Sequence, residues 1–198
     1  MFRKICVAVL KLFLRCIFRI DVQGLENIPQ TDGAILAVNH RSNWDALIVG
    51  VFTPRVVIFM AKAELFKNKL FGGILKKLGA FPVKRGKGDI GAIKASLRIL
   101  ADNGLMIIFP EGTRNNETVS HAKQGVSLIS SMSKKPVIPV YISGEYRFRN
   151  KITLRFGEAY SFHGKYEGKL TGAELQEEAD IILGKIRSLK TEDMGGRH

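Results

Sequence analysis

Continuous apolar runs alternate along this chain with stretches of helical period. Ala34 to Val38 and Leu105 to Phe109 are uninterrupted apolar runs bounded by turn residues, as expected of strands buried on both faces. Arg55 to Met60, after Pro54, and Phe81 to Arg85, after Gly79, read as two more strands. Pro136 to Ile142 is another, and the alternation of Lys151 to Phe156 gives a last one. Pro139 inside its strand predicts an edge position or a bulge, because proline brings no N–H to the ladder. Helical segments fill the intervals. One starts after Ser42 and runs through about Val51. A second runs from a cap at Asp89 to about Leu100 and is closed by Asn103-Gly104; a third spans 119–132; a fourth runs from an N-cap at Thr171 to Leu189, with a Glu-rich first half. Asp21 to Gly33 reads as a connector punctuated by Asn27, Pro29 and Asp32-Gly33. Strands alternating with helices predict one α/β domain, and the chain shows no repeat or low-complexity segment.

The first twenty residues depart from this rhythm. Met1 to Ile20 carries Arg3, Lys4, Lys11, Arg15 and Arg19 with no acid, among Ile, Val, Leu and Phe. On a helical wheel Lys4, Lys11, Arg15 and Arg19 fall within about 80° of one another, leaving a wide apolar face. This predicts an amphipathic helix over 1–20 lying in a membrane interface, ahead of a domain over 21–198; docking on the protein's own core is the alternative. Lys11 and Arg15 interrupt the run before it reaches the ~20 apolar residues of a membrane span, and charges inside the stretch argue against a signal peptide.

Composition narrows the partners. A chain of 198 residues with 45% hydrophobic content suits one domain with a full core. Its formal net charge of +13, from 31 Lys+Arg against 18 Asp+Glu, should attract an anionic membrane, nucleic acid or phosphorylated ligands. Residues 62–87 extend the basic surface, although a solvated face accounts for most of their lysines without any ligand. An aromatic RNA platform and zinc-ligand spacing are both missing, so nucleic acid is not an expected partner. The four histidines are scattered and predict no metal site. Cys6 and Cys16 lie ten positions apart on different helical faces, which argues against a mutual disulfide and for a reducing compartment.

Candidate chemistry gathers at strand ends. Asn39-His40-Arg41-Ser42-Asn43-Trp44-Asp45 follows the run ending at Val38, which puts His40 on a strand-to-helix turn. In a continuous helix positions five apart point about 140° apart, so His40 and Asp45 meet only if the backbone turns between them. Two plainer readings stand beside a catalytic one: a half-buried structural histidine, and a capping box in which Ser42 and Asp45 start the helix. A catalytic pair requires the His40 ring and the Asp45 carboxylate within hydrogen-bond reach across the turn. Glu111-Gly112-Thr113-Arg114 forms a second polar cluster at the end of the 105–109 strand, where α/β sheets place ligand sites. A third strand-end turn carries Arg85.

Together these blocks resemble the glycerolipid acyltransferases, the family of 1-acylglycerol-3-phosphate acyltransferases. Residues 39–45 look like the family's HxxxxD motif, Phe109-Pro110-Glu111-Gly112-Thr113-Arg114 is similar to its FPEGTR block, and Val137-Ile138-Pro139-Val140 to its later proline motif. Gly79 to Arg85 resembles the intermediate block ending in arginine. The pattern differs at Lys84, where the family commonly has an acid, and at Ala122, where an aromatic is more usual. The resemblance implies a glycerol-3-phosphate acyltransferase-like fold, with a central mixed β-sheet flanked by helices. It also implies transfer of a fatty acyl group from acyl-CoA or acyl-carrier protein to the sn-2 hydroxyl of lysophosphatidic acid, giving phosphatidic acid, with no cofactor. His40 would be the general base and Asp45 its orienting partner, while Arg85, Glu111, Gly112, Thr113, Arg114 and, more weakly, Lys62 would bind substrate. The implied location is the cytoplasmic face of the cell membrane, peripheral or monotopic. Other lysophospholipid acceptors stay open, as does a non-catalytic basic membrane-binding protein. A hydrolase would need a nucleophile, and no G-x-S-x-G elbow surrounds Ser42.

Overall fold

A computed structural model describes residues 2–77, 79–83, 90–112 and 121–191. In chain order the elements are α1 (Phe2–Ile17), β1 (Arg19–Gln23), β2 (Ala34–Val38), α2 (Trp44–Phe52), β3 (Val57–Lys62), α3 (Lys69–Lys77) and β4 (Ala80–Val83). They continue with α4 (Ile90–Ala101), β5 (Leu105–Ile108), α5 (Gly125–Ser133), β6 (Val137–Ser143), β7 (Lys151–Phe156) and α6 (Gly172–Thr191). The strands form one mixed sheet in the order β1-β7-β6-β2-β5-β3-β4. β6, β2, β5, β3 and β4 run parallel, β7 is antiparallel to β6, and β1 is parallel to β7. The five parallel strands therefore end along one edge of the sheet, and the chemistry-bearing turns lie on that edge.

Side-chain alternation along β2 divides the core in two. Leu36 and Val38 face a cluster that includes Ile48, Val49 and Phe52 of α2 and Leu14 of α1. Ile35 and Ala37 face Leu100 of α4, Val126 and Ile129 of α5 and Ile182 and Ile186 of α6. With helices covering both faces, β2 and β5 are buried along their whole length, and their uninterrupted apolar sequences reflect that position. The expected helix ends are present. Asn103 adopts φ 56°, and the N–H of Gly104 reaches Ile99 O at 2.8 Å to close α4. Thr171 and Glu174 form a reciprocal capping box at α6, with Thr171 N donating to Glu174 Oε2 at 2.7 Å and Glu174 N to Thr171 Oγ1 at 3.3 Å.

Four expectations change. Residues 19–23 form a strand, β1, rather than helix and connector; with only Ile20 and Val22 apolar, this edge strand rests on its backbone ladder to β7. α3 emerges from the basic stretch, where clustered lysines hid its apolar period. The helix expected over 119–132 starts at Gly125, because tertiary bonds claim the backbone before it. Ala122 N donates to Asp180 Oδ1 at 2.8 Å and Lys123 N to Pro110 O at 2.7 Å. Residues 119 and 120, like Asp89, Lys84 and Arg85, lie outside the described residues. Pro139 is on an inner strand, not an edge. The β6–β7 register pairs Val140 with Phe156, yet Val137 bridges Tyr160, so the ladder slips by one residue beside the proline, as in a bulge.

α1 has two apolar faces. Leu14 is fully buried, and Val7, Leu10 and Ile17 pack against the same core, which meets the alternative reading of this segment. The opposite face leaves Ile5, Val9, Leu12 and Phe13 exposed, Leu12 at 67%. Two substitutions separate the faces. Leu14→Ala is expected to lower the unfolding free energy by about 2–4 kcal/mol, and Leu12→Ser to change it by less than about 0.5 kcal/mol; urea titration of both variants checks this.

Candidate active site

The site begins where β2 leaves the sheet. Asn39 is buried and exchanges two hydrogen bonds with β6: its Nδ2 donates to Ile142 O at 3.0 Å, and Ile142 N donates to its Oδ1 at 2.7 Å. This clamp fixes the exit of the strand, so the next residue, His40, starts its turn from a fixed point. Asp45 occupies the first turn of α2 with no solvent exposure. A buried carboxylate must be hydrogen-bonded, and the turn is wound around it. Its Oδ2 accepts from Arg41 N at 2.6 Å, Ser42 N at 2.7 Å and the His40 ring Nδ1 at 3.0 Å. The reach required of a catalytic pair is therefore present, and half of the capping box is too. Asp45 takes the Ser42 amide, whereas the Ser42 hydroxyl sits 3.4 Å from Trp44 N instead of capping residue 45. Oδ1 of Asp45 accepts from the Tyr146 hydroxyl. Burial, then the charge and hydrogen bond of Asp45, push the Tyr146 hydroxyl far above its ordinary value of 10.0, so it stays a proton donor.

The second turn closes over the first because β2 and β5 are adjacent and parallel. Phe109, just past β5, stacks on the His40 ring with centroids 4.1 Å apart and planes 25° from parallel. Gly112 N donates to Phe109 O at 3.1 Å, with Gly112 at φ 71°, a conformation that favours glycine. That turn brings Glu111 back to the dyad, where its Oε2 accepts the His40 N–H at 3.1 Å. Burial raises the Glu111 carboxyl above its ordinary value of 4.5, against the opposing effects of the His40 amide and the Arg187 charge.

Of the residues named from sequence, His40, Asp45, Glu111 and Gly112 are thus brought together. Lys62 stands at the carboxyl end of β3, its side chain outside the described set, and Arg85, Thr113 and Arg114 lie wholly outside it. Asn39, Phe109 and Tyr146 were missed as functional residues. The first two sit inside recognised blocks, one beside His40 and one ending the best apolar run. Tyr146 lies 101 positions from Asp45 and had no local signal. Among the described residues no group of three His, Cys, Asp or Glu side chains is placed to hold a metal ion.

A family model described as Acyltransferase matches residues 19–143, which takes in β1 through β6 and both site turns. The chain belongs to the acyltransferase family. This acyltransferase is 35% identical over 161 residues to the 1-acyl-sn-glycerol-3-phosphate acyltransferase of Bacillus subtilis, covering 78% of its own length and 80% of that relative. It is 36% identical over 141 residues to the protein of the same name from Streptococcus pneumoniae, covering 67% of its own length but only 52% of that relative. Its fold is that of the 1-acyl-sn-glycerophosphate (LPA) acyltransferase PlsC from Thermotoga maritima, with a TM-score of 0.67 and 24% identity over 90% of this chain and 73% of that one.

The geometry allows a defined proton chemistry. Because a carboxylate only accepts, neutral His40 carries its proton on Nδ1 toward Asp45, which leaves the Nε2 lone pair available. Nε2 has no partner among the described residues, and the His40 side chain is 12% exposed, enough to meet a bound molecule. Glu111 supplies a pH test. The folded chain holds the Glu111 proton more tightly than an unfolded chain does, so the stability it contributes is full below about pH 4.5 and declines as the pH rises through the raised value. Glu111→Gln is expected to gain stability relative to wild type as the pH rises above about 4.5, as measured by urea unfolding over a series of pH values.

Proposed function

We propose that this acyltransferase moves a fatty acyl group from an acyl thioester to the sn-2 hydroxyl of 1-acyl-sn-glycerol-3-phosphate, forming phosphatidic acid and releasing the thiol. The observation that carries the reading is the His40 Nδ1 to Asp45 Oδ2 bond of 3.0 Å at the carboxyl edge of the parallel strands. A thioester is already activated, so no covalent enzyme intermediate is needed. His40 Nε2 takes the acceptor's hydroxyl proton as its oxygen attacks the acyl carbon. The C–O bond forms, the C–S bond breaks, and the proton passes on to the departing thiolate. Asp45 holds the tautomer and stabilises the imidazolium, as the aspartate of a serine hydrolase does, with the substrate hydroxyl in the place of serine. General-base catalysis contributes ~10²–10⁴-fold, so positioning and oxyanion stabilisation supply the remainder.

Acceptor binding falls to the FPEGTR block and its neighbours. Arg114 and Arg85 suit the phosphate, since a guanidinium fork matches its oxygens; Lys62 adds a weaker cationic contact, and Thr113 belongs to the same block. Gly112 lets the backbone approach closely. The donor is acyl-CoA or acyl-carrier protein, and the net charge of +13 suits the anionic character of either. No described helix is long and apolar enough to cross a membrane. The outer face of α1, with Ile5, Val9, Leu12 and Phe13 exposed beside Lys11 and Arg15, supports peripheral or monotopic attachment to a membrane surface, and we assign this to the cytoplasmic face of the cell membrane, where the thioester donors are made.

Two experiments test this. With lysophosphatidic acid and either donor, thiol release should depend on the acceptor and phosphatidic acid should accumulate. His40→Ala should reduce the rate by at least about a hundredfold with the fold intact by circular dichroism. Release without acceptor would signify hydrolysis, no release a binding protein, and preference for another acceptor in a lysophospholipid panel would reassign the substrate. Because Leu14 belongs to the core, the membrane test keeps the helix: Val9→Glu with Phe13→Glu should lower co-sedimentation with anionic vesicles several-fold, and unchanged sedimentation would reject attachment through this face.

A further inference from the structure

Tyr146 is the part of the site that neither the sequence blocks nor the family match accounts for. It lies in the loop between β6 and β7, three residues past the matched segment, which ends at 143. Its hydroxyl bonds the oxygen of Asp45 that the turn leaves over: Arg41 N, Ser42 N and His40 Nδ1 all converge on Oδ2, and Tyr146 takes Oδ1. Three donors on one oxygen hold that atom in place but leave the carboxylate plane free to swing about it. A fourth donor on the other oxygen removes that freedom and satisfies an anionic oxygen with no access to water.

The tyrosine is itself fixed from the far side. Phe18, at the junction of α1 and β1, meets the Tyr146 ring edge-on at 5.8 Å and the Trp44 ring edge-on at 6.1 Å. The loop carrying Tyr146 is tied to the same junction, with Arg149 N donating to Ile17 O at 2.6 Å and Arg19 N to Asn150 O at 3.0 Å. An unbroken run of contacts therefore leads from the end of α1 through Phe18 and Tyr146 to Asp45 and His40.

We propose that Tyr146 is a positioning residue of the acyl-transfer site, orienting the Asp45 carboxylate toward His40 and tying the catalytic pair to the end of the N-terminal helix. This rests on the reading of His40 as the base. The charged and titratable groups around it are Asp45 and His40 themselves, Arg41, whose positive field reaches the Tyr146 hydroxyl, and Glu111 on the His40 amide. Removing the hydroxyl leaves Asp45 Oδ1 without that donor, so the carboxylate plane is free to turn and its bond to the His40 ring loosens.

Tyr146→Phe keeps the ring against Phe18 and deletes only the hydrogen bond. In the variant the proton resonance of the His40 Nδ1–H that bonds Asp45, followed by NMR and assigned with His40→Ala, should shift or broaden. kcat with lysophosphatidic acid should fall roughly tenfold, part of what a hydrogen bond to a charged group is worth, with the acceptor KM within about twofold. In an Asp45→Asn background the same change should cost little, because the residue it acts through is already altered. An unchanged Nδ1 proton resonance overturns the assignment whatever the rates do, and so does a proportional loss of rate from Tyr146→Phe that is as large in the Asp45→Asn background as in the wild-type chain. If the wild-type protein fails to acylate lysophosphatidic acid, the acceptor reading falls and the Nδ1 proton resonance, which needs no substrate, still decides the role of Tyr146.

Discussion

Asp45 is a carboxylate sealed from water, and much of the local architecture follows from the need to surround it with donors. Two backbone amides, an imidazole and a phenol meet that need. The amides can reach it only if residues 40–42 curl back over the start of α2, and this curl is the backbone turn that lets residues five apart touch. A desolvated anion costs several kcal/mol unless it is fully bonded, so the conformation that brings the His40 ring to Asp45 is also the one that keeps the anion satisfied. The Asn39 clamp to β6 and the stacking of Phe109 then reduce the remaining freedom of the histidine.

The sheet topology explains why distant segments arrive together. β2 lies between β5 and β6, all three parallel, so the residues following each strand emerge side by side. His40 follows β2, Glu111 follows β5 and Tyr146 follows β6. Any pair of adjacent parallel strands would juxtapose two loops; placing β2 centrally gives the histidine turn a neighbour on each side. The Glu111 carboxylate on the His40 amide and the Tyr146 hydroxyl on Asp45 are the products of that arrangement.

Much of this was legible in the sequence where burial is complete. β2 and β7 fall on their expected bounds and β5 within a residue, because strands packed on both faces or paired deep in the sheet have few sequence options. The dyad was readable as a motif and its geometry as a requirement, since a turn was the only way to join the two residues. What escaped notice depends on tertiary contacts. β1 is held by a ladder whose partner lies at 151–155, α5 is shortened by Asp180 and Pro110, and Tyr146 gains its importance from a residue 101 positions away. Local patterns record the burial of an element; they carry little about which distant atom its polar groups will meet.

The two faces of α1 have a thermodynamic consequence. Leu14 on one side is sealed in the core while Leu12 on the other is open to solvent, and the helix holds both orientations only when the domain is folded. A surface that binds this face more tightly as part of the folded domain than as part of the unfolded chain is a ligand of the fold. Such a surface would act by mass action as a stabiliser, adding up to roughly RT ln(1 + [L]/Kd) to the free energy of unfolding, about 2.7 kcal/mol at a hundredfold excess over Kd when the unfolded chain does not bind. A chain drawn off such a surface would then unfold more readily than one seated on it.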